Sequence, residues 1–190
     1  SKTSGGKDNP QWGKWGQEGS STTEEDTASA KGIKAGGDIK ISNATITADT
    51  SDDSIHSNSN VTIESGTFKL KSGDDGIHAD TSTVINNGNI VIEKSYEGIE
   101  GSNVTINGGT IELTASDDGI NAAGGSDSSS MGGRMGQNSF TENSDIYIKI
   151  TGGKITVNAS GDGLDSNSNL IIEGGEVYVN GPTSDGDGAL

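Results

Sequence analysis

The 190-residue sequence has no cysteine, few apolar side chains and little positive charge. The lack of cysteine excludes disulfides and thiolate metal sites, and it leaves the redox compartment undetermined. No apolar run approaches the roughly 20 residues of a membrane-spanning helix, so we expect no membrane span. Only 12 basic residues oppose 28 acidic ones, for a formal charge of −16. This balance argues against nucleic acid as a partner and is compatible with cations.

The low apolar content also argues against an ordinary globular core. Only 27% of the residues are hydrophobic and 4% are aromatic, a composition that with this charge usually indicates disorder. A solenoid is the exception, because each short repeat buries a few residues against its neighbours. The length is that of one domain.

The apolar residues recur at a nearly constant interval. One series is separated by 22, 22, 22, 21 and 44 residues, the last step being two periods, and consists of Ile33, Ile55, Ile77, Ile99, Ile120 and Leu164. Four more series follow the same spacing and begin at Ile39, Ile41, Ile46 and Ala48. Five aligned series predict a stack of equivalent coils, with each series forming an apolar ladder.

Each repeat alternates apolar and polar residues in three short segments separated by Gly, Asn, Asp and Ser turns. This pattern predicts an all-β parallel β-helix with coils of about 22 residues and three short strands per coil. Leucine-rich repeats need more leucine, and the nonapeptide β-roll has a different period. The general bias of parallel crossovers favours a right-handed coil.

Two segments interrupt the repeat. Residues 1–30 are polar and are interpreted as a flexible leader or linker, in which Trp12 and Trp15 are either incidental or a sugar-stacking or docking arm. Residues 123–145 are rich in Gly and Ser and are interpreted as a loop insertion in a β-helix domain spanning 31–190. The last residues end in mid-coil, so we interpret the domain as truncated at its C-terminus.

Carboxylates recur beside the first ladder, in SDDSIHSN, GDDGIHAD and SDDGINAA. Stacking predicts one row of Asp53, Asp75, Glu97, Asp118 and Asp162, flanked by Asp52, Asp74 and Asp117. A further row lies one residue past the ladder and contains His56, His78, Glu100, Asn121 and Asp165. Because the ladder residues point inward, we expect both rows to face solvent, with the two histidines on the surface.

This acidic corner predicts a cation site. Coils ~4.8 Å apart place two carboxylates where they repel by about 1 kcal/mol in water and about 3.5 kcal/mol at an effective dielectric of 20. Calcium fits a flexible set of oxygen donors better than magnesium, and zinc would require more His or Cys. The alternative is that the aspartates only cap turns. The candidate metal ligands are Asp52, Asp53, Asp74, Asp75, Glu97, Glu100, Asp117, Asp118, Asp162 and Asp165.

Several stretches resemble the carbohydrate-binding β-helix family of clostridial cell-surface proteins, which is similar in fold to pectate lyases. They include KGIKAGGDIKISNATITA, SDDSIHSNSNVTIESGTF, SDDGINAAGG, YIKITGGKITVNASGDGLDSNSN and NGPTSDGDGAL. The resemblance covers roughly residues 30–190. It implies a right-handed parallel β-helix with calcium on the aspartate pairs and Asp162, and binding of cellulose or polygalacturonate on a bacterial surface or after secretion. One coil departs from the pattern, since SYEGIE supplies Glu97 and Glu100 instead of an aspartate pair.

Three functions are consistent with these sequence features. The first is non-catalytic binding of an acidic or cellulosic polysaccharide, with candidate contacts His56, His78, Lys71, Lys94, Tyr96 and Tyr178. The second is a calcium-dependent polysaccharide lyase, in which Lys71 or Lys94 would be the base of a β-elimination. Neighbouring carboxylates oppose the use of a lysine as a base. The third is a structural or adhesive cell-surface spacer, in which calcium serves stability alone.

Overall fold

The computed structural model describes residues 30–123 and 145–183. These ranges contain strands and no helix. The predictions for the leader, Trp12, Trp15, the inserted loop and the last seven residues fall on 1–29, 124–144 and 184–190, outside the described residues. The strands are β1 (Ile33–Ala35), β2 (Ile39–Ile41), β3 (Ala44–Asp49), β4 (Ile55–Ser57), β5 (Asn60–Ile63), β6 (Gly66–Lys71), β7 (Ile77–Ile85), β8 (Asn89–Ser95), β9 (Ile99–Ile106), β10 (Thr110–Ala115), β11 (Ile120–Ala122), β12 (Tyr147–Ile150), β13 (Lys154–Ala159), β14 (Leu164–Ser166), β15 (Asn169–Ile172) and β16 (Glu176–Asn180).

Successive coils stack as parallel strands in two sheets. A six-stranded sheet has the order β16-β13-β10-β8-β6-β3, so each strand pairs with its equivalent in the next coil. A ten-stranded sheet contains the path β1-β4-β7-β9-β11-β14, with β2, β5, β12 and β15 paired alongside it. The predicted parallel β-solenoid is therefore confirmed, and its handedness stays a prediction.

The strand register confirms the ladders read from the sequence. In the first ladder Ile55 pairs with Ile33 on one side and Ile77 on the other, and the series continues to Leu164. Phe68 of β6 lies between Ile46 and Ile90 in the six-stranded sheet. Most ladder side chains are completely buried, which explains how a sequence of low hydrophobicity forms a core.

Two coils differ from the expected three strands. β7 and β9 run through the first corner without a break, apart from an irregularity between Ala79 and Ser82. The N–H of Thr81 donates to the carbonyl of Ser59 at 2.9 Å, so pairing between coils continues through this corner. These coils have two strands, of which the first is long.

The turn before the third strand depends on glycine. Gly66 has a φ of +147°, and a Cβ there would lie 2.6 Å from the carbonyl oxygen of Ala44. A residue with a side chain at this position would have a strained backbone and would collide with the neighbouring coil. The close approach of stacked turns therefore explains why a small residue recurs here in each repeat.

The last described coil leaves part of its apolar surface exposed. Its exposed apolar and aromatic side chains are Leu170, Ile171, Ile172 and Tyr178. Across residues 30–123 and 145–183, no helix has the length and apolar character needed to cross a membrane.

Candidate functional site

The acidic corner is buried, contrary to the expectation that it faces solvent. Asp53 is 0% exposed, Asp75 is 1% exposed and His78 is 1% exposed. His56, Glu97, Asp118 and Asn121 are also buried, while Asp52, Asp74, Asp117, Asp162, Glu100 and Asp165 are half-buried. The surface position predicted for both histidines is therefore wrong.

Stacking of side chains explains this burial. All three residues of β4 are buried, so the side chain that points away from the core on this strand is buried as well. The rings of His56 and His78 stack with centroids 4.7 Å apart and planes 6° apart. Residues that point away from the core thus cover one another from coil to coil.

The carboxylate row begins with a lysine that was not among the predicted site residues. Lys31 lies two residues before Ile33, as Asp53 lies two residues before Ile55. Its ammonium group contacts Asp53 and lies 3.1 Å from Oδ1 of Asp52. The repeat register could have identified this residue. Burial raises the pKa of Asp53, but hydrogen bonds from His56 and Lys31 outweigh it and hold that pKa below its usual value.

Two carboxylates in the row cap the backbone of the next coil. Oδ1 of Asp53 accepts the N–H of Asp75 at 3.0 Å. Oδ1 of Asp118 accepts the N–H of Asp162 at 2.7 Å. Asp53 and Asp118 therefore do cap turns, and capping uses only one oxygen of each carboxylate.

His78 lies among several carboxylates. Its Nδ1 is 3.2 Å from Oδ2 of Asp75 and also contacts Glu100, while its Nε2 is 3.0 Å from Oδ1 of Asp80. Burial would lower the pKa of His78, but hydrogen bonds with Asp75 and Glu100 outweigh it and raise that pKa to about 11. Asp80 was not predicted from the sequence, although a search for carboxylates two residues from each histidine would have found it.

Asp75 has one oxygen without a hydrogen-bond partner. Burial and the charges of Glu100 and Glu97 raise the pKa of Asp75, and the hydrogen bond with His78 opposes them. Its Oδ1 is buried and accepts no hydrogen bond within the described part of the chain. Leaving a buried polar atom unpaired costs about 1–3 kcal/mol, so an additional ligand at this atom would be favourable.

The C-terminal end of the acidic corner contains only oxygen donors. Burial and the nearby carboxylates Asp117, Asp165 and Asp162 raise the pKa of Asp118 to about 7. Burial, Asp162 and Asp117 raise the pKa of Asp165 to about 6. A Cβ at Gly161 would lie 2.5 Å from Oδ1 of Asp118 and 2.8 Å from Oδ1 of Asp117, so glycine leaves room for this group of oxygens.

The coil that departs from the aspartate pattern keeps the stacking. Glu97 is 4% exposed and its Oε2 accepts a hydrogen bond from the amide of Asn121 at 3.0 Å. The N–H of Tyr96, a half-buried residue, donates to the carbonyl of Asp74 at 2.7 Å. SYEGIE therefore preserves the turn, and Glu97 is held by an amide side chain.

The remaining predicted contacts lie on the outer face of the six-stranded sheet, here called the sheet face. Lys71 lies 3.2 Å from Glu93, and Lys94 is exposed near it in the next coil. Tyr178 is 51% exposed, with Nζ of Lys154 lying 5.8 Å from the centre of its ring. The structure thus separates the exposed Lys71, Lys94 and Tyr178 from the buried His56 and His78.

Fold and sites together define a parallel β-solenoid domain with a buried acidic corner and a polar sheet face. The family model described as "Carbohydrate-binding domain-containing protein" matches residues 2–76 and 60–139, which together exceed half of the chain. The chain belongs to this family, and a carbohydrate-binding role and a sugar partner follow from that membership. No match was found among curated proteins or among solved structures.

Proposed function

We propose that this domain binds plant cell-wall polysaccharide without catalysis, with acidic pectin-type chains or cellulose as ligand. The sheet face carries the proposal, because it is exposed, polar and continuous over six strands. The resemblance to clostridial surface proteins supports a secreted or cell-surface location in a bacterium.

The sheet face carries lysine side chains and an aromatic ring that a polysaccharide could contact. Six strands at ~4.8 Å spacing extend over about 24 Å, enough for several sugar units. Lys69 and Lys71 share Glu93 at 2.9 and 3.2 Å, with both lysine side chains about half exposed. Exposed ion pairs of this kind contribute at most about 1 kcal/mol, so a uronate carboxylate can compete with Glu93. Tyr178 provides an exposed ring on which a sugar can stack.

The C-terminal end of the acidic corner suits calcium. Asp117, Asp118, Asp162 and Asp165 supply oxygen atoms alone, and Oδ2 of Asp117 is buried without a hydrogen-bond partner in the described ranges. Calcium prefers six to eight oxygen ligands and tolerates irregular geometry. When bound, it would neutralise carboxylates that repel one another, so its proposed role here is to stabilise the coils.

Calcium is expected to raise the melting temperature by about 5–10 °C relative to chelator. At about 100 times its dissociation constant, a ligand stabilises the folded state by about 2.7 kcal/mol, and each kcal/mol shifts Tm by about 2–4 °C at this length. Asp118→Asn should abolish most of the shift and leave the protein in chelator at least as stable, since it removes a buried charge. The matched control is Asp49→Asn, an exposed position outside the corner. An equal calcium shift in Asp118→Asn would refute this assignment.

Affinity electrophoresis in polygalacturonate and pull-down on cellulose test the proposed function. The double variant Lys69→Ala/Lys71→Ala is expected to weaken polygalacturonate retardation about 10-fold or more, and Tyr178→Ala should weaken binding to either polymer. The control is Lys149→Ala, which removes a Lys–Glu pair of 3.1 Å from the ten-stranded sheet. Equal retardation of all variants would place binding elsewhere, and no binding of either polymer would favour the spacer alternative.

The lyase alternative stays a prediction. Lys71 and Lys94 lie on the exposed sheet face, and Lys71 is paired with Glu93. An assay for unsaturated sugar products, with Lys71→Ala and Lys94→Ala compared, tests their role as a base.

A further inference from the structure

We propose that Asp75, His78 and Glu100 bind a divalent cation of the zinc class, at a site separate from the proposed calcium site. The three side chains come from adjacent coils and place one ligand atom each within 4.8 Å of the others. One nitrogen and two carboxylates form the donor set, which suits zinc and related first-row ions. Calcium prefers a set of oxygen donors.

The convergence on one ring nitrogen indicates a bound ion. Asp75 and Glu100 both contact Nδ1 of His78. A ring nitrogen carries a single proton, so it donates one full hydrogen bond and shares it poorly between two carboxylates. A metal ion in place of that proton would bond to the nitrogen and to both carboxylates together.

The distance between Asp75 and His78 and the unpaired oxygen of Asp75 agree with this arrangement. Oδ2 of Asp75 lies 3.2 Å from Nδ1 of His78. Tetrahedral zinc with bonds of about 2.0–2.2 Å separates its ligand atoms by about 3.3 Å. Asp75 is 1% exposed and its Oδ1 has no hydrogen-bond partner among the described residues. A carboxylate that bound the metal through both of its oxygens would use this buried atom as well.

Asp80 holds the histidine in the orientation that a metal requires. Its Oδ1 lies 3.0 Å from Nε2 of His78, on the side of the ring opposite Nδ1. Metal-binding histidines usually donate their other N–H to a carboxylate or carbonyl, which sets the tautomer and the ring direction. Asp80 is therefore a positioning residue.

The neighbouring coil shows what a cation does at this corner. There the ammonium group of Lys31 contacts Asp53, which also lies 2.7 Å from Nδ1 of His56. In the next coil Asp75 and His78 occupy the equivalent positions, and the residue equivalent to Lys31 is Asp53 itself. A divalent ion at Asp75, His78 and Glu100 would supply the positive charge that lysine supplies one coil earlier.

Zinc titration of the full chain tests the proposal. After treatment with chelator, the protein is titrated calorimetrically with zinc in the presence of excess calcium. One zinc ion per chain is expected, and zinc-edge X-ray absorption should show one imidazole ligand. The chain has only two histidines, so ¹⁵N-histidine NMR can assign the shifted Nδ1 to His78 and show that Nε2 keeps its proton. Failure to saturate, or full displacement of zinc by calcium, would overturn the proposal.

Variants distinguish zinc binding at this site from nonspecific zinc binding to an acidic chain. Glu100→Gln, at a side chain 16% exposed, is expected to weaken zinc binding about 10-fold or more and to keep the β-sheet circular dichroism spectrum. The control Glu173→Gln removes an exposed carboxylate directly after β15, outside the acidic corner. It should leave zinc affinity within about 3-fold. Equal zinc affinity in Glu100→Gln and wild type would also overturn the proposal.

Discussion

Replacing Phe68 by alanine is expected to lower the free energy of unfolding by about 3–5 kcal/mol. Phe68 is 1% exposed and stacks between Ile46 and Ile90, so truncation leaves a cavity with apolar residues above and below it. The ring also lies against Gly66, where a Cβ would be 2.9 Å from its Cε2 atom. Fixed turns on both sides limit how far the coils can collapse into the cavity.

Denaturant unfolding followed by circular dichroism measures this loss. The control is Lys69→Ala, the adjacent residue on the exposed side of β6, which is expected to change stability by less than about 1 kcal/mol. Because solenoids can unfold in segments, the denaturant slope is compared between variants before free energies are subtracted. A loss below about 1 kcal/mol for Phe68→Ala would show that the ladder is not the main source of stability.

Replacing Lys31 by methionine is expected to cost about 3 kcal/mol. The Lys31 side chain is 7% exposed and that of Asp53 is 0% exposed, so the substitution leaves a buried carboxylate without its ammonium partner. Removing one member of a buried ion pair typically costs 3–5 kcal/mol. The remaining hydrogen bonds of Asp53, with His56 and with the N–H of Asp75, favour the lower end. Because the pKa of Asp53 is lower in the folded protein, this carboxylate stabilises the fold at pH values above its unfolded-state pKa. That stabilisation is lost as the pH falls through the lower pKa of the folded state.

A lysine with the same chemistry but a different environment provides the control. Lys40 is 68% exposed and lies 2.8 Å from Glu64, so Lys40→Met should cost no more than about 1 kcal/mol. In the double variant Lys31→Met/Asp53→Asn the loss should be smaller than in Lys31→Met alone, because the unpaired charge is gone. Equal losses for Lys31→Met and Lys40→Met would show that the buried pair contributes no more than a surface pair.

The arrangement of the coils was predictable because equivalent residues of successive repeats stack on one another in a solenoid. Ile77 stacks on Ile55 and Ile99 for the same reason that the three residues are equally spaced in the chain. Turn residues such as Gly66 also follow the period, and together they determine the register without knowledge of distant contacts. The joining of two segments into β7 was not predictable, because it depends on hydrogen bonds at a corner.

The acidic corner was predictable in location and not in environment. The positions of Asp53, Asp75 and Asp118 follow from the repeat, and the structure brings them to one corner. Their burial could not be predicted from the repeat. Alternation of side chains along a strand shows which of them point away from the core, but those side chains are exposed only where that side of the strand meets solvent. At a sharp corner the outward side chains meet their own equivalents, as the stacked rings of His56 and His78 show.

The sequence by itself determined the all-β class, the coil length, the five apolar ladders and the row that gathers the carboxylates. Each of these depends on residue type and spacing, which stacking converts directly into neighbours. Only the tertiary structure decided that Lys31 pairs with Asp53, that Asp80 faces His78 and that one oxygen of Asp75 has no partner among residues 30–123 and 145–183. These features depend on side-chain directions and on distances of a few ångströms, which a repeat of residue types does not specify.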